Sequence, residues 1–215
     1  HERYMAIESS ATSAANLEWI VREFFADERP DGRSAFELCS ELAGSVAPAD
    51  DNPHYHPYVY GAQQDGNARA GFYGVGGWHT KAHLLHAVFE GVAFGHRWHI
   101  DNLRRAGARF DEAILSGGGS RSAVWPQIFA DVLGVPVSVA RSRETGALGA
   151  AIAAGIGVGL FGGFEAGAAA MTEVVRSYQP NPQLKALYDR RYALHRDIVE
   201  AMTPIWKRLA SAAPA

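Results

Sequence analysis

Apolar residues return every third or fourth position over residues 13–26, where Leu17, Ile20, Val21, Phe24 and Phe25 fall on one stripe. This predicts a core-facing helix with Ser13 as its cap. A second helix is predicted over 34–42, ending near Gly44. The longest runs from Thr80 to about Arg105, with Leu84, Leu85, Val88, Val92, Phe94, Trp98 and Leu103 in helical register. Before them, 4–8 is a short apolar run. Between them, 27–32 reads as loop, 47–57 as a polar Pro/His loop, 58–62 as a strand, 63–67 as a turn and 70–77 as a Gly-rich stretch.

From Glu112 the period changes to strand–turn–helix–strand–helix. Ala113-Ile114-Leu115 and 135–140 read as strands, 122–133 and 145–158 as helices. The strands are continuously apolar rather than alternating, which predicts a sheet buried on both faces and an α/β fold. A last helix is expected over 182–209, with Asn181 as N-cap and Pro182 at its first position.

Composition narrows the function. The chain has 215 residues, 47% hydrophobic and 20% charged, with 23 Asp+Glu against 20 Lys+Arg. A compact monomer of this mass should expose about 9,700 Å² and bury roughly 71% of its unfolded surface. The near-balanced charge gives no footprint for nucleic acid. The weakly apolar stretch 147–161 is too short and glycine-interrupted to span a membrane. Cys39 is the only cysteine, which excludes a disulfide framework and any cysteine-based zinc site within the chain, and calls for no oxidising compartment. Residues 1–4 lack the layout of a signal peptide, and an opening so close to a strand reads as the middle of a larger protein.

The chemistry concentrates at Leu115-Ser116-Gly117-Gly118-Gly119-Ser120-Arg121-Ser122, a glycine run between a strand and a helix. Three glycines remove every Cβ where a ligand would approach the backbone, and a helix start behind them suits phosphate oxygens. A dinucleotide fingerprint fits poorly, since Ser122 stands where a glycine belongs and Ala140-Arg141 where a ribose-binding carboxylate belongs. A Walker A loop is excluded because none of the three lysines is in place. His79, His83 and His86 share a helical stripe with Glu90, and His96 and His99 follow. A structural helix-start role for His83 outweighs a metal site there, while His54 and His56 are expected to line a surface or interface. Glu144 is expected to favour a helix start by its charge.

Two further stretches carry a resemblance. Ala70-x-Phe72-x-Gly74-Val75, then His83-Leu84-x-x-Ala87-Val88-Phe89-Glu90, resembles the second signature of the FGGY carbohydrate kinases. The run from Gly117 to Ser122 with Gln127 and Asp131-Val132-Leu133-Gly134 is similar to that family's adenosine motif, and residues 140–151 to its closing segment. The resemblance implies an actin-like ATPase (ribonuclease H-like) lobe, a mixed sheet flanked by helices, with 1–215 as the C-terminal nucleotide-binding lobe. It implies ATP with Mg²⁺, a small-molecule sugar substrate and a cytoplasmic enzyme, and leaves a homodimer open. Gly117, Gly118, Gly119 and Ser122 match residues on the adenosine and α-phosphate side. Ala14 and Glu18 match positions near the phosphates and base, where the family often has Gly and Gln. The family's catalytic Asp and Gly-Thr phosphate loop lie in an N-terminal lobe absent from this chain, so no catalytic residue is assigned here. Residues 6–12 and 77–80 resemble ketopentose (xylulose-type) kinases. Kinases of glycerol, gluconate or another polyol, and a non-catalytic nucleotide-binding or interaction module, are the alternatives.

Overall fold

The structure is a computed structural model describing residues 6–10, 12–25, 32–62, 65–142 and 144–211. The centre of the molecule is a 25-residue helix, α3 (Lys81–Arg105), whose residues 85–94 are all buried. A helix buried all round must be wrapped on every side. Here α1 (Ala15–Phe24), α2 (Ala35–Gly44), the strand β1 (His54–His56), α4 (Trp125–Leu133) and α7 (Lys185–Ser211) pack around it. The stripe predicted for α1 points inward at Leu17, Ile20, Val21 and Phe25, which join the core, but not at Phe24, which is 64% exposed with its ring edge-on to Trp19.

β1 pairs antiparallel with β2 (Gly71–Tyr73), and Tyr55 faces Phe72 with ring centres 4.7 Å apart. β1 lies so close to α3 that a Cβ on Gly91 would stand 2.2 Å from the Tyr55 carbonyl oxygen. The strand thus falls inside the segment read as loop, whereas 58–62 forms no strand. His54 and His56 are buried rather than at a surface, since that contact carries β1 beneath α3. The Tyr4 end of the first apolar run lies outside the described residues, as do 27–31, and residues 6–8 form no strand.

The second sheet has the order β3 (Ala113–Leu115), β4 (Val137–Ala140), β5 (Val174–Tyr178), parallel between β3 and β4 and antiparallel between β4 and β5. It is mixed, as expected, but is not buried on both faces. Val137 and Val139 are buried, yet Ile114 is 65% exposed and Val174 and Val175 are also exposed. The helices α5 (Thr145–Gly157) and α6 (Phe164–Met171) pack mainly on each other, so their apolar residues leave that face open. Val158, Leu160 (72% exposed) and Phe164, between and at the start of these two helices, are exposed as well. The accessible surface of 12621 Å² accordingly exceeds the about 9,700 Å² of a compact monomer. No helix among the described residues is long and apolar enough to cross a membrane.

Candidate nucleotide site

β3 delivers the chain into the glycine run. Gly117 sits at φ +76° and ψ −159°, a conformation that L side chains rarely adopt. A single 3₁₀ turn, Gly118–Arg121, follows, so the helix expected from Ser122 begins only at Trp125. The turn is fastened at both ends. The Ser120 hydroxyl donates to the Gly117 carbonyl at 2.8 Å, and the Arg176 guanidinium, from β5, donates to the Ser120 carbonyl at 2.6 Å. Arg176 had no signal in the sequence, because β5 enters the sheet from 56 residues away.

Ser122 has a different task from the glycines. Its hydroxyl oxygen accepts the Val124 and Trp125 N–H groups at 3.1 and 2.9 Å, and it pairs with Ser40 of α2 at 2.6 Å. Pro126 brings no N–H at all. The first turn of α4 therefore has its donors consumed, and the expectation of free helix N–H groups behind the loop does not hold. The free donors lie one turn earlier: the N–H groups of Gly118 and Gly119 make no hydrogen bond among the described residues. A Cβ on Gly118 would meet nothing within 4 Å, and one on Gly119 would meet the Trp125 ring at 3.5 Å, an ordinary contact. The protein's own packing does not demand glycine at 118 or 119. A ligand drawn close to those two N–H groups would.

Ala14 and Glu18 open α1 on a different wall. Ala14 precedes the helix without a side-chain cap, packed partly buried against the core, and Glu18 is exposed. Ser13 is not the cap; its hydroxyl pairs with His96 Nε2 at 2.8 Å, across on α3. No hydrogen bond among the described residues joins Ala14 or Glu18 to the glycine loop. Gln127 and Asp131 are structural: the Gln127 amide donates to Asp131 Oδ1 at 2.9 Å and to the Gln179 carbonyl at 2.8 Å. Asp131 also accepts the Asn181 N–H at 2.7 Å. Burial pushes its pKa up despite those two donors. Asn181 caps as expected, accepting Gln183 N–H at 3.0 Å, though of a short 3₁₀ turn that leads into α7. Glu144 is the N-cap of α5 with no side-chain cap bond.

The histidines resolve into separate tasks. His83 Nδ1 accepts the Thr80 N–H at 3.2 Å in a reciprocal cap of α3. His79 Nδ1 accepts the Gly76 N–H at 2.8 Å. His86 donates from Nδ1 to the Ala43 carbonyl at 2.9 Å and meets Glu90 Oε1 through Nε2 at 3.2 Å. Among the described residues no three His, Cys, Asp or Glu side chains converge as a metal would require.

Residues 1–158 match the profile of the FGGY family of carbohydrate kinases, C-terminal domain. The chain is 30% identical over 206 residues to the L-xylulose/3-keto-L-gulonate kinase of Escherichia coli (strain K12), covering 96% of this chain and 40% of that protein. It is 38% identical over 111 residues to the autoinducer-2 kinase of Enterobacter sp. (strain 638), 51% of this chain and 21% of that protein. The crystal structure of xylulose kinase from Rhodospirillum rubrum superposes with a TM-score of 0.78 at 28% identity, over 92% of this chain and 40% of that one. The fold is thus the actin-like ATPase fold of these sugar kinases. The chain spans about 40% of the length of the curated relatives it matches along most of its own length.

Proposed function

The chain belongs to the FGGY family of carbohydrate kinases, as its C-terminal domain, and from that premise we propose that it is the ATP-holding lobe of a sugar kinase. The reaction is in-line transfer of the γ-phosphoryl group of ATP to a sugar hydroxyl, and the sugar is a ketopentose such as xylulose. The observation that carries the reading is the pair of free N–H groups at Gly118 and Gly119, on a backbone whose own packing does not demand glycine. Gly117, Gly118 and Gly119 hold the adenosine and α-phosphate side of the nucleotide, and Ser122 braces the loop from behind by capping α4. Ala14 and Glu18 face its phosphates and base.

Catalysis of this kind is mostly positioning and charge stabilisation, so a lobe that fixes the nucleotide contributes without owning the base. The base is an Asp in polypeptide outside this chain, a placement supported by the 40% share of the relatives' length. Mg²⁺ arrives with the ATP phosphates; the described residues supply no converging ligand set for it, and no step is assigned to it. A cytoplasmic location belongs to the same reading.

The test is a coupled ADP-release assay, with ATP and a panel of D- and L-xylulose, glycerol, gluconate and the autoinducer-2 precursor, on a longer polypeptide in which this chain is joined to the lobe that carries the base. Preference for a xylulose supports the reading. Preference for glycerol or a six-carbon acid replaces the substrate, and ADP binding without turnover on any acceptor replaces the kinase with a binding module. Light scattering on the same sample reads whether it forms a homodimer.

A further inference from the structure

The second sheet sets three residues in one row. Leu115, the last residue of β3, lies opposite Val139 of β4, and Val139 lies opposite Arg176 of β5. Opposed residues share a face of the sheet, as do residues two apart on a strand, so Arg176 stands on the face of Val137, Val139 and Tyr178. That is the covered face: Val137 and Val139 are buried, and Tyr178 packs partly buried against the core. Two strand spacings, about 10 Å, separate Arg176 from the point where the glycine loop leaves β3. Its guanidinium closes that gap by donating to the Ser120 carbonyl at 2.6 Å.

The loop needs an anchor from outside. Glycine adopts left- and right-handed backbone about equally, so three in a row leave the direction of their N–H groups poorly fixed. The single 3₁₀ turn over Gly118–Arg121 adds little rigidity, since such turns bond with poorer geometry than an α-helix. Its internal bonds are local. The Ser120 N–H and hydroxyl donate to the Gly117 carbonyl at 3.2 and 2.8 Å, and the Ser122 N–H donates to the Gly119 carbonyl at 3.3 Å. Among the described residues, hydrogen bonds from other elements reach this stretch at two places, Ser122 from Ser40 and Ser120 from Arg176. Ser122 already lies beyond the turn. Arg176 is the one that grips the turn containing the free N–H pair.

The same contact leaves charge to spare. Arg141, just after β4, is spent on Glu173 at 2.6 Å. Arg176 instead meets a neutral carbonyl and the Tyr178 ring at 6.0 Å, with no carboxylate partner among the described residues. A positive charge thus stands beside the loop that presents two free N–H groups, a combination that favours a phosphate.

We propose that Arg176 is a positioning residue of the nucleotide site: by holding the Ser120 carbonyl it keeps the Gly118 and Gly119 N–H groups aimed at a bound phosphate. This rests on the nucleotide reading of the glycine loop, and the test separates the two. NMR relaxation of the backbone amides, on the purified protein without nucleotide, reads the positioning alone. Gly118 and Gly119 are expected to be ordered in the wild type and in Arg176→Lys, with order parameters near about 0.85, and to fall below about 0.6 in Arg176→Met. Calorimetric titration with ADP reads the consequence. Affinity should fall about five-fold or more in Arg176→Met and largely return in Arg176→Lys, which keeps a charged donor. Tm should be the same in all three, because the side chain is exposed; a residue that merely stiffened the sheet would lower Tm along with affinity. Gly118→Val is the control. Undiminished ADP binding in Gly118→Val, or none in the wild type, sinks the nucleotide reading and this role with it. Weakened binding in Gly118→Val but wild-type affinity in Arg176→Met, or glycines as ordered in Arg176→Met as in the wild type, overturns the role of Arg176 alone.

Discussion

Glu90 and Arg191 form an ion pair at 2.6 Å with both side chains 1% exposed, and each is fully occupied. The second Glu90 oxygen takes His86, while the guanidinium also donates to the carbonyls of Ala49, Asn52 and Pro53 at 2.9, 2.9 and 3.1 Å. The pair therefore ties α7 to α3 and fixes the chain entering β1. Burial opposes the charge on Glu90, but His86 and Arg191 more than offset it and hold the carboxyl below its usual range. Arg191→Met leaves an unpaired buried carboxylate and three unpaired carbonyls, and is expected to lower stability by about 3–5 kcal/mol. The double variant Glu90→Gln/Arg191→Met should recover part of that loss in denaturant unfolding; no recovery would mean that the carbonyl bonds, not the charge pair, dominate.

At three histidines around β1 burial wins instead, outweighing Glu90 near His54 and the His195 carbonyl at His56. Burial lowers His54 and His56 to about 4 and drives His195, on α7, well below its ordinary value, with Arg191 adding to the effect at His54 and His195. His96, on α3, is likewise lowered to about 4 by burial. All four fold as neutral rings while the unfolded chain takes up protons from about pH 6.5 downward. Their contribution is fully present above pH 6.5 and is lost as the pH falls towards 4. His86, whose pKa is raised because Glu90 overcomes burial, acts in the opposite sense, but it is one group against four. Thermal melts should show Tm falling by roughly 10 °C or more between pH 7 and 4.5. A flat profile would mean that the rings are not neutral and enclosed.

Gly91 tests the contact that positions β1. Alanine there brings its Cβ to 2.2 Å from the Tyr55 carbonyl oxygen, a backbone atom that cannot swing aside. Gly91→Ala should cost about 1–3 kcal/mol in spite of alanine's better helix propensity. Gly95→Ala, one turn on, has Pro57 at a comfortable 3.8 Å and should be neutral or slightly stabilising.

How much of this was readable beforehand varied with the physics of each segment. The helices α1 and α3 follow from apolar spacing, α7 from its Asn181-Pro182 start signal, and the glycine loop from its composition. β1 was hidden because His-Tyr-His between two prolines reads as polar loop, and only the close approach at Gly91 buries it. The capping of α4 by Ser122 was hidden because a serine after three glycines looks like part of the ligand loop, whereas its hydroxyl serves Val124 and Trp125. The open face of the sheet was misread because continuous apolar strands say that both faces want cover, not that this chain provides it.

That open face bears on the 215 residues taken alone. With Ile114, Leu160 and Phe164 exposed, they should self-associate in light scattering, and Leu160→Ser/Phe164→Ser should reduce it. The same 215 residues should release no sugar-dependent ADP, since general-base assistance is worth about 10²–10⁴ in rate and the base lies elsewhere in the proposal. Turnover at the rate of a longer polypeptide would place the base inside this chain.

The central claim, that the glycine loop holds the nucleotide, is tested most directly by calorimetric titration of ADP into the purified protein and its Gly118→Val variant. The added side chain meets no protein atom within 4 Å of its Cβ, so Tm should be unchanged. ADP affinity should fall by about ten-fold or more as the side chain takes the space against the Gly118 and Gly119 N–H groups. A folded Gly118→Val protein that binds ADP as tightly as the wild type would contradict the assignment.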